Sequence, residues 1–471
     1  EVKITEKRVF HIAGFIVVAL GCGLLTNHII LSDFMEEHQI NIRMFRPMES
    51  YQKYGGVLTF ARSVGYAVVK KPEGYTTAKV DQIISEYEKK SANTQQSTAK
   101  QYPNIITVVN ETFADIKVLG DFKTNEDYMP YFHSLKKNCV TGYTYASIVG
   151  GQTANTEFEL LTGNTLGFLS AGTTAFQLYI HGQMPSLVSN LKAEGYSGNK
   201  AMHPFNPYNY NRPAVYKDFG FTDFIDKFDF PKNVKRVREY ISDEANVDRI
   251  ISEYEKNRKK TDQPFYMYNM TIQNHSPYDK DAANFKQPIK IESSKYDAEA
   301  NRYLNLIKYS DDSLKQLTSY FEKCKEPTII LFLGDHQPRL TDEFMNKITN
   351  GQYQTWSSEQ MMKRYQVPFV IWANYDIKEQ HIEKTSMNYM QSILTQTAGV
   401  KMTGYQRFLN EVRKEVPTIT SQGYWGKNGK FYQINDKGSP YYGIIQKYRM
   451  IQYNMMFDKK NRRDSFFEVS K

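Results

Sequence analysis

Asn104-Ile105-Ile106-Thr107-Val108-Val109 is a β-branched run of the kind that forms a strand buried on both faces. It ends in Asn110-Glu111-Thr112-Phe113. Far along the chain Thr328-Ile329-Ile330-Leu331-Phe332-Leu333 repeats the pattern and ends in Gly334-Asp335-His336. Between the two lie helical stretches at Met184 to Glu194 and Ala298 to Lys323. Further strand candidates stand at Pro264 to Ile272 and Val367 to Ala373. Strands alternating with helices predict an α/β protein, a mainly parallel sheet flanked by helices. Ligands of such sheets gather at the carboxyl ends of the strands, which puts Glu111, Asp335 and His336 on that rim.

A second stretch bears on the same rim: Gly150-Gly151-Gln152-Thr153-Ala154-Asn155-Thr156-Glu157-Phe158-Glu159-Leu160-Leu161-Thr162-Gly163. Two glycines free the backbone for a tight approach, an apolar helical turn follows, and Gly163 stops it. Thr153 therefore falls at or beside a helix N-cap, among unpaired N–H groups that attract an anion. It serves there either as an ordinary capping threonine or as a nucleophile toward a phosphate-like group.

Two carboxylates, an imidazole and a hydroxyl form a hard donor set for one divalent metal. Mn²⁺, Mg²⁺ and Zn²⁺ all suit it, and the lack of thiolate speaks against structural zinc. Such an ion lowers the threonine pKa and neutralises an incoming phosphate. Two more histidines follow separate strand candidates. His203 precedes Tyr208, Tyr210, Asn211 and Arg212, and His275 lies in Gln273-Asn274-His275-Ser276-Pro277-Tyr278. The first loop suits a phosphate and the hydroxyls of a small polyol, with Arg212 as a forked donor. A neutral histidine in either loop can carry a proton between leaving and attacking oxygens. Packing or solvent-facing roles account for both histidines equally well.

The chain has 471 residues, enough for a large core, and 35 tyrosines, which fill cores as readily as they bind sugars. Its three cysteines, Cys22, Cys139 and Cys324, exclude a disulfide framework and leave Cys139 to Cys324 as the one pairing open. A net charge of +9 comes with basic clusters at Lys232 to Arg238, Lys256 to Lys260 and Lys459 to Arg463. These are solvated faces or attract anionic lipid and envelope polymer; no nucleic-acid motif accompanies them.

The chain opens without methionine, as a piece of something longer does. Residues 1–31 are expected to be a cytoplasmic end and a last transmembrane helix, since Val9 to Leu31 would reach ~34 Å as a helix. Lys3, Lys7 and Arg8 before it, and Asp33, Glu36 and Glu37 after it, predict a cytoplasmic N-terminus with the rest outside. Residues 32–100 read as a juxtamembrane connector. It holds an apolar stretch at Gly55 to Val69, an amphipathic helix at Val80 to Lys90 and a polar linker at Ser91 to Lys100. Residues 101–375 form the catalytic domain. Residues 376–471 form its C-terminal part, with a helix at Met387 to Thr397 and a small antiparallel add-on or terminal helix from Tyr424 to Ile451.

On Asn110 to Phe113, Gly151 to Glu159, the His203 to Arg212 loop, Gln273 to Tyr278 and Gly334 to His336, the chain resembles the lipoteichoic acid synthase family of membrane-anchored phosphoglycerol transferases, within the alkaline phosphatase and sulfatase-like superfamily. The resemblance implies Mn²⁺ on Glu111, Thr153, Asp335 and His336, with Thr153 as nucleophile. It also implies that His203, Tyr210, Arg212 and His275 hold the glycerol phosphate and that His275 serves catalysis. The implied donor is phosphatidylglycerol, and the implied acceptor an anionic or sugar polymer of a Gram-positive-type envelope, outside the membrane. Where the family often has tryptophan before Asn-Arg, this chain has Tyr210. Formylglycine sulfatases need a Cys or Ser in C/S-x-P-x-R, which the surroundings of Thr153 lack. A phosphoethanolamine transferase or phosphodiesterase on the same fold, and a degenerate polymer-binding domain, stay open as alternatives.

Overall fold

Asn104–Asn110 forms strand β1, and all seven of its residues are buried. The chain is seen as a computed structural model that describes residues 6–26, 28, 47–67, 69–91, 101–292, 297–351 and 353–469. In chain order β1 is followed by β2 (Cys139–Tyr145), β3 (Ser197–Met202), β4 (Asp223–Ile225), a two-strand ribbon of β5 (Arg236–Val237) and β6 (Tyr240–Ile241), β7 (Phe265–Met270), β8 (Thr328–Gly334), β9 (Gln366–Ala373) and β10 (Gln380–Ser386). Eight of these make one sheet in the order β10-β2-β9-β8-β1-β7-β3-β4. Among the described residues, β9 runs antiparallel to β2 and β8 and the other pairings are parallel. β1 lies between β8 and β7, so neither of its faces nor its edges meets water, and the continuous apolar run follows from that position.

Alternate residues of each strand serve opposite layers. Ile106, Val108, Met267, Ile330 and Phe332 share a core with the long helices Asp243–Arg258 and Ala298–Phe321. On the other face Tyr268 reaches Glu157 of the helix Thr153–Thr162, which is buried along its whole length. The sandwich is helix, sheet, helix.

The residues after Ala373, to which the sequence assigned no chemistry, turn out to support that buried helix. The expected add-on and the expected terminal helix both exist: an antiparallel sheet of β11 (Thr418–Thr420), β12 (Gly423–Trp425) and β13 (Phe431–Tyr432), and the helix Tyr442–Met456. The carbonyl of Gly163, at the end of the Thr153 helix, accepts from the hydroxyls of Tyr405 and Tyr448. Gln452 clasps Thr165 by both its N–H and its carbonyl. The helix Thr77–Ser91, read from sequence as connector, packs on this C-terminal part through Glu86 to Lys447 and Asp81 to Arg463.

One compact unit comprises Pro72–Phe168 and Ala175–Lys471; Glu1–Lys71 and Leu169–Thr174 form the other. In the second unit the stretch expected to cross a bilayer is helical over Glu6–Thr26, with Phe10, Phe15, Val17 and Leu24 among its exposed apolar side chains. Residues 27 and 29–31 lie outside the described residues, as does most of the Ser91 to Lys100 linker. Among the described residues no helix is long and apolar enough to cross a membrane. Cys139 and Cys324, the pair left open by the sequence, are both free thiols.

Candidate active site

Register builds the centre of the site. Asn110 of β1 pairs with Gly334 of the parallel neighbour β8, so the next residues, Glu111 and Asp335, leave the sheet side by side. Glu111, Asp335 and His336 are all buried, and each offers a ligand atom within 4.8 Å of the others. His336 Nε2 lies 3.2 Å from Asp335 Oδ2 and 3.8 Å from Glu111 Oε1. Gly334 is required there, because a Cβ would stand 1.8 Å from the Phe113 carbonyl oxygen.

The remaining valences of these groups are spent on holding them. Asp335 Oδ1 accepts from the N–H of Thr112 (2.6 Å) and of His336 (2.8 Å). Thr112, in the left-handed region at φ 54°, donates its hydroxyl to Glu111 Oε1. His336 Nδ1 lies 3.0 Å from the Gln337 carbonyl, which fixes the proton on Nδ1 and turns the lone pair of Nε2 inward. Asp335 Oδ2 and His336 Nε2 are buried and find no hydrogen-bond partner. Burial first, and then the charge of Asp335, raise the Glu111 pKa well above the carboxylate range. Two crowded carboxylates with orphaned donor atoms around one gap fit a divalent cation, which removes the repulsion and fills the empty valences.

Thr153 follows a loop of left-handed backbone. Gly150 (φ 67°), Gly151 (φ 139°) and Gln152 (φ 66°) all lie at positive φ, and the helix begins at Thr153. Gln152 holds the cap position, without a side-chain cap, and Thr153 is the first helical residue. The loop is pinned on both sides: Gly150 N–H donates to the Gln337 carbonyl (3.0 Å) and Thr156 Oγ1 to the Asp335 carbonyl (2.8 Å). In sequence Thr153 lies midway between these two anchors, three residues from each.

The two predicted histidine loops reach the same edge. His203 follows β3, is 3% exposed, and its Nδ1 lies 3.0 Å from the Met270 carbonyl, so Nε2 is a bare acceptor. Burial, and after it Arg212, hold its pKa well below the usual value. His275 follows β7; its Nδ1 meets the Ser276 carbonyl at 2.6 Å, and burial lowers its pKa too. Both rings are therefore neutral near pH 7.

Arg212 is partly committed within the protein. The sequence offered it as a fork for phosphate, but Nε (3.1 Å) and Nη2 (2.7 Å) both donate to Glu157 Oε1. Burial opposes the guanidinium charge, and Glu157 outweighs it and raises the pKa. The other oxygen of Glu157 takes the hydroxyls of Tyr216 and Tyr268. Tyr210, with its ring 5.0 Å from the guanidinium, covers it.

Three supporting residues escaped the sequence reading. Glu157 sits one helical turn after Thr153, a spacing that puts both on one face and was the available signal. Arg238 donates to the carbonyls of Gln273, His275 and Pro277 and so shapes the His275 loop. Asp243, wholly buried, accepts from Asn110 (2.8 Å) and Ser310 (2.6 Å), while Asn274 bonds Asn110 and Ser310. This network ties the residue before Glu111 to the residue before His275; nothing local marks Asp243 for that role.

Two buried carboxylates and a histidine with metal-ligand spacing stand on the carboxyl edge of an alkaline phosphatase-like α/β sheet. Residues 103–400 match the sulfatase family model, and the chain belongs to that family. It is 30% identical over 433 residues to a putative cyclic beta-1,2-glucan modification protein of Rhizobium meliloti (strain 1021), covering 90% of this chain and 65% of the relative. To lipoteichoic acid synthase 1 of Bacillus subtilis (strain 168) it is 24% identical over 308 residues, covering 61% and 44%. The chain thus spans less than two thirds of the length of these relatives. Among solved structures, Streptococcus pyogenes phosphoglycerol transferase GacH in complex with sn-glycerol-1-phosphate superposes with a TM-score of 0.68 at 20% identity, over 85% of this chain and all of that one. At that identity the likeness is one of fold.

Proposed function

We propose that this chain transfers glycerol phosphate from phosphatidylglycerol, through a covalent ester on Thr153, to a hydroxyl of a cell-surface glycopolymer. The reading rests above all on one observation: the loop that begins the Thr153 helix is pinned to Asp335 and Gln337, next to buried metal-ligand atoms that lack partners. The relatives named for lipoteichoic acid synthesis and phosphoglycerol transfer support it. Glu111, Asp335, His336 and Thr153 would hold a divalent ion, for which we propose Mn²⁺; when bound it supplies Lewis acidity that lowers the threonine pKa and neutralises phosphate charge.

In the first half-reaction Thr153 Oγ attacks phosphorus and the bond to the diacylglycerol oxygen breaks. The proton lost by the threonine equals the one the diacylglycerol oxygen gains, and His275 is the residue we assign to pass it on. In the second half the acceptor hydroxyl attacks, the Thr153–phosphorus bond breaks, and the proton travels the opposite way. His203, acceptor-only at Nε2, takes a hydrogen bond from a glycerol hydroxyl. Arg212 and Tyr210 face the phosphate. From the sequence we further propose that the apolar stretch Val9 to Leu31, with Lys3, Lys7 and Arg8 before it, anchors the protein in a membrane with the later residues outside the cell.

The test is to incubate the Mn²⁺-loaded chain with headgroup-labelled phosphatidylglycerol and weigh the Thr153 peptide. Glycerol phosphate on Thr153 is the expected adduct. Ethanolamine phosphate from a mixed lipid donor, or hydrolysis without any adduct, would point to the sister activities instead. Excess chelator stops the labelling and Mn²⁺ restores it; an undiminished rate in chelator removes the metal from the mechanism.

A further inference from the structure

We infer that Asp243 is a positioning residue that couples the two halves of the site: through one buried ring of hydrogen bonds it sets the Glu111 turn and the His275 loop against each other, so that a change on either side is felt at the other. This extends the transferase reading, and its kinetic half rests on that reading.

The ladder between β1 and β7 ends at the pair Val109 and Met270. Beyond it one chain goes on to the candidate ligand Glu111 and the other to His275, yet the two stay stitched. The Thr271 N–H donates to the Val109 carbonyl at 3.0 Å, and Thr271 Oγ1 accepts from the Glu111 N–H at 3.0 Å. A second stitch is made of side chains. Asn110 Nδ2 and Ser310 Oγ both donate to Asp243 Oδ2, and Asn274 Nδ2 donates to Asn110 Oδ1 (3.1 Å) and to Ser310 Oγ (2.8 Å). Asp243, Asn110, Asn274 and Ser310 thus close a ring. Gln273 locks it, accepting from the Asp243 N–H at 3.0 Å and donating to Asn274 Oδ1 at 3.1 Å. None of these five residues is more than 1% exposed.

Asp243 gives the ring its sense. Amides and hydroxyls can each turn to donate or accept, whereas an ionised carboxylate only accepts. Ser310 must therefore direct its proton at Asp243, and Asn110 its amide nitrogen, which leaves the Asn110 carbonyl for Asn274. Burial raises the Asp243 pKa, against the donors of Ser310 and Asn110, and among the described residues no cation shares in holding it. A carboxylate set in a dry interior without a counter-charge is a costly way to fill space. What it brings is a network that acts as a unit, since each bond polarises the next. Asn110 is peptide-bonded to Glu111 and Asn274 to His275, so a displacement of one loop reaches the other through the ring.

The experiment is isothermal titration of the full chain, in detergent, with Mn²⁺, for wild type, Asn274→Ala, Asp243→Asn and the two combined, each checked for a cooperative melt. Asn274 hydrogen-bonds none of the candidate metal ligands. Its loss is nonetheless expected to weaken Mn²⁺ binding roughly tenfold. Asp243→Asn does the same, because an amide can enter either way round, and the double variant binds no more weakly than either single one. Ser310→Ala, on the helix Ala298–Phe321, takes the place of Asn274→Ala should that variant fail to fold. In turnover with labelled phosphatidylglycerol at saturating Mn²⁺, each single variant lowers kcat by about tenfold with the KM for lipid held. Unchanged Mn²⁺ affinity in the single variants, losses that multiply to about a hundredfold in the double variant, or an unchanged kcat overturns the coupling. Should wild-type Thr153 take no label while Mn²⁺ affinity still follows the ring in this way, the transferase reading falls and the coupling between the two loops stands.

Discussion

Thr153 can be removed at little structural cost, because Gln152 and not Thr153 occupies the cap of its helix. Thr153→Ala is expected to abolish the covalent adduct and turnover while leaving the thermal midpoint nearly unchanged; retained transfer would reject the nucleophile. Glu157 is the opposite kind of residue, with both oxygens engaged by Arg212, Tyr216 and Tyr268 in a dry interior. Glu157→Gln leaves a buried guanidinium without its counter-charge and should lower stability by about 3 kcal/mol. Denaturant titration reads that loss, and a midpoint equal to wild type would show the pair to be dispensable. In the segment after the Glu111 turn, hydrogen bonding to Asp115, opposed by burial and helped by Asp127, pushes His133 up to about 9. A histidine raised in the folded state adds its full stabilisation below its unfolded pKa of about 6.5 and loses it as pH climbs through the folded value. The gap in melting temperature between wild type and His133→Gln should accordingly be widest in mild acid and close above pH ~9; a gap that persists there contradicts the assignment.

At the scale of elements, the site is made by strand register. β1 and β8 are parallel neighbours whose ends coincide, so two carboxylates arrive together with no loop needed to gather them. Gly334 is the hinge of that arrangement. Gly334→Ala forces its methyl against the Phe113 carbonyl, separates β8 from the Glu111 turn, and is expected to cost on the order of 3 kcal/mol together with most of the metal affinity. Metal analysis of the purified variant checks the second half; full Mn²⁺ occupancy would show that the turn relaxes freely. The Thr153 helix depends on a different element, since Tyr405, Tyr448 and Gln452 hold its far end and the loop beyond it. The C-terminal segment thus fixes the axis of the Thr153 helix.

At the scale of the whole molecule, binding of a metal at the proposed site would be linked to folding. A divalent ion that binds the native state relieves the Glu111 and Asp335 repulsion and should raise stability by about 2.7 kcal/mol at roughly a hundred times Kd. Calorimetry with and without Mn²⁺ measures it, and Asp335→Ala should erase the shift; a melting temperature indifferent to Mn²⁺ argues against an ion at this place.

The sequence by itself determined the strands that carry the ligands, because runs as apolar as Asn104 to Val109 and Thr328 to Leu333 satisfy their backbones only in the middle of a sheet. It also determined the start of the Thr153 helix, since the paired glycines and the apolar turn after them are local signals. The short strand β10 and the antiparallel direction of β9 were not legible, as neither leaves a mark on composition. Only the tertiary structure decided that Arg212 spends two donors on Glu157, that Asp243 braces Asn110, and that the tail supports the Thr153 helix. Those outcomes depend on which distant side chain fills the nearest unsatisfied valence in a closed interior, and a linear string carries no distance between residues that far apart.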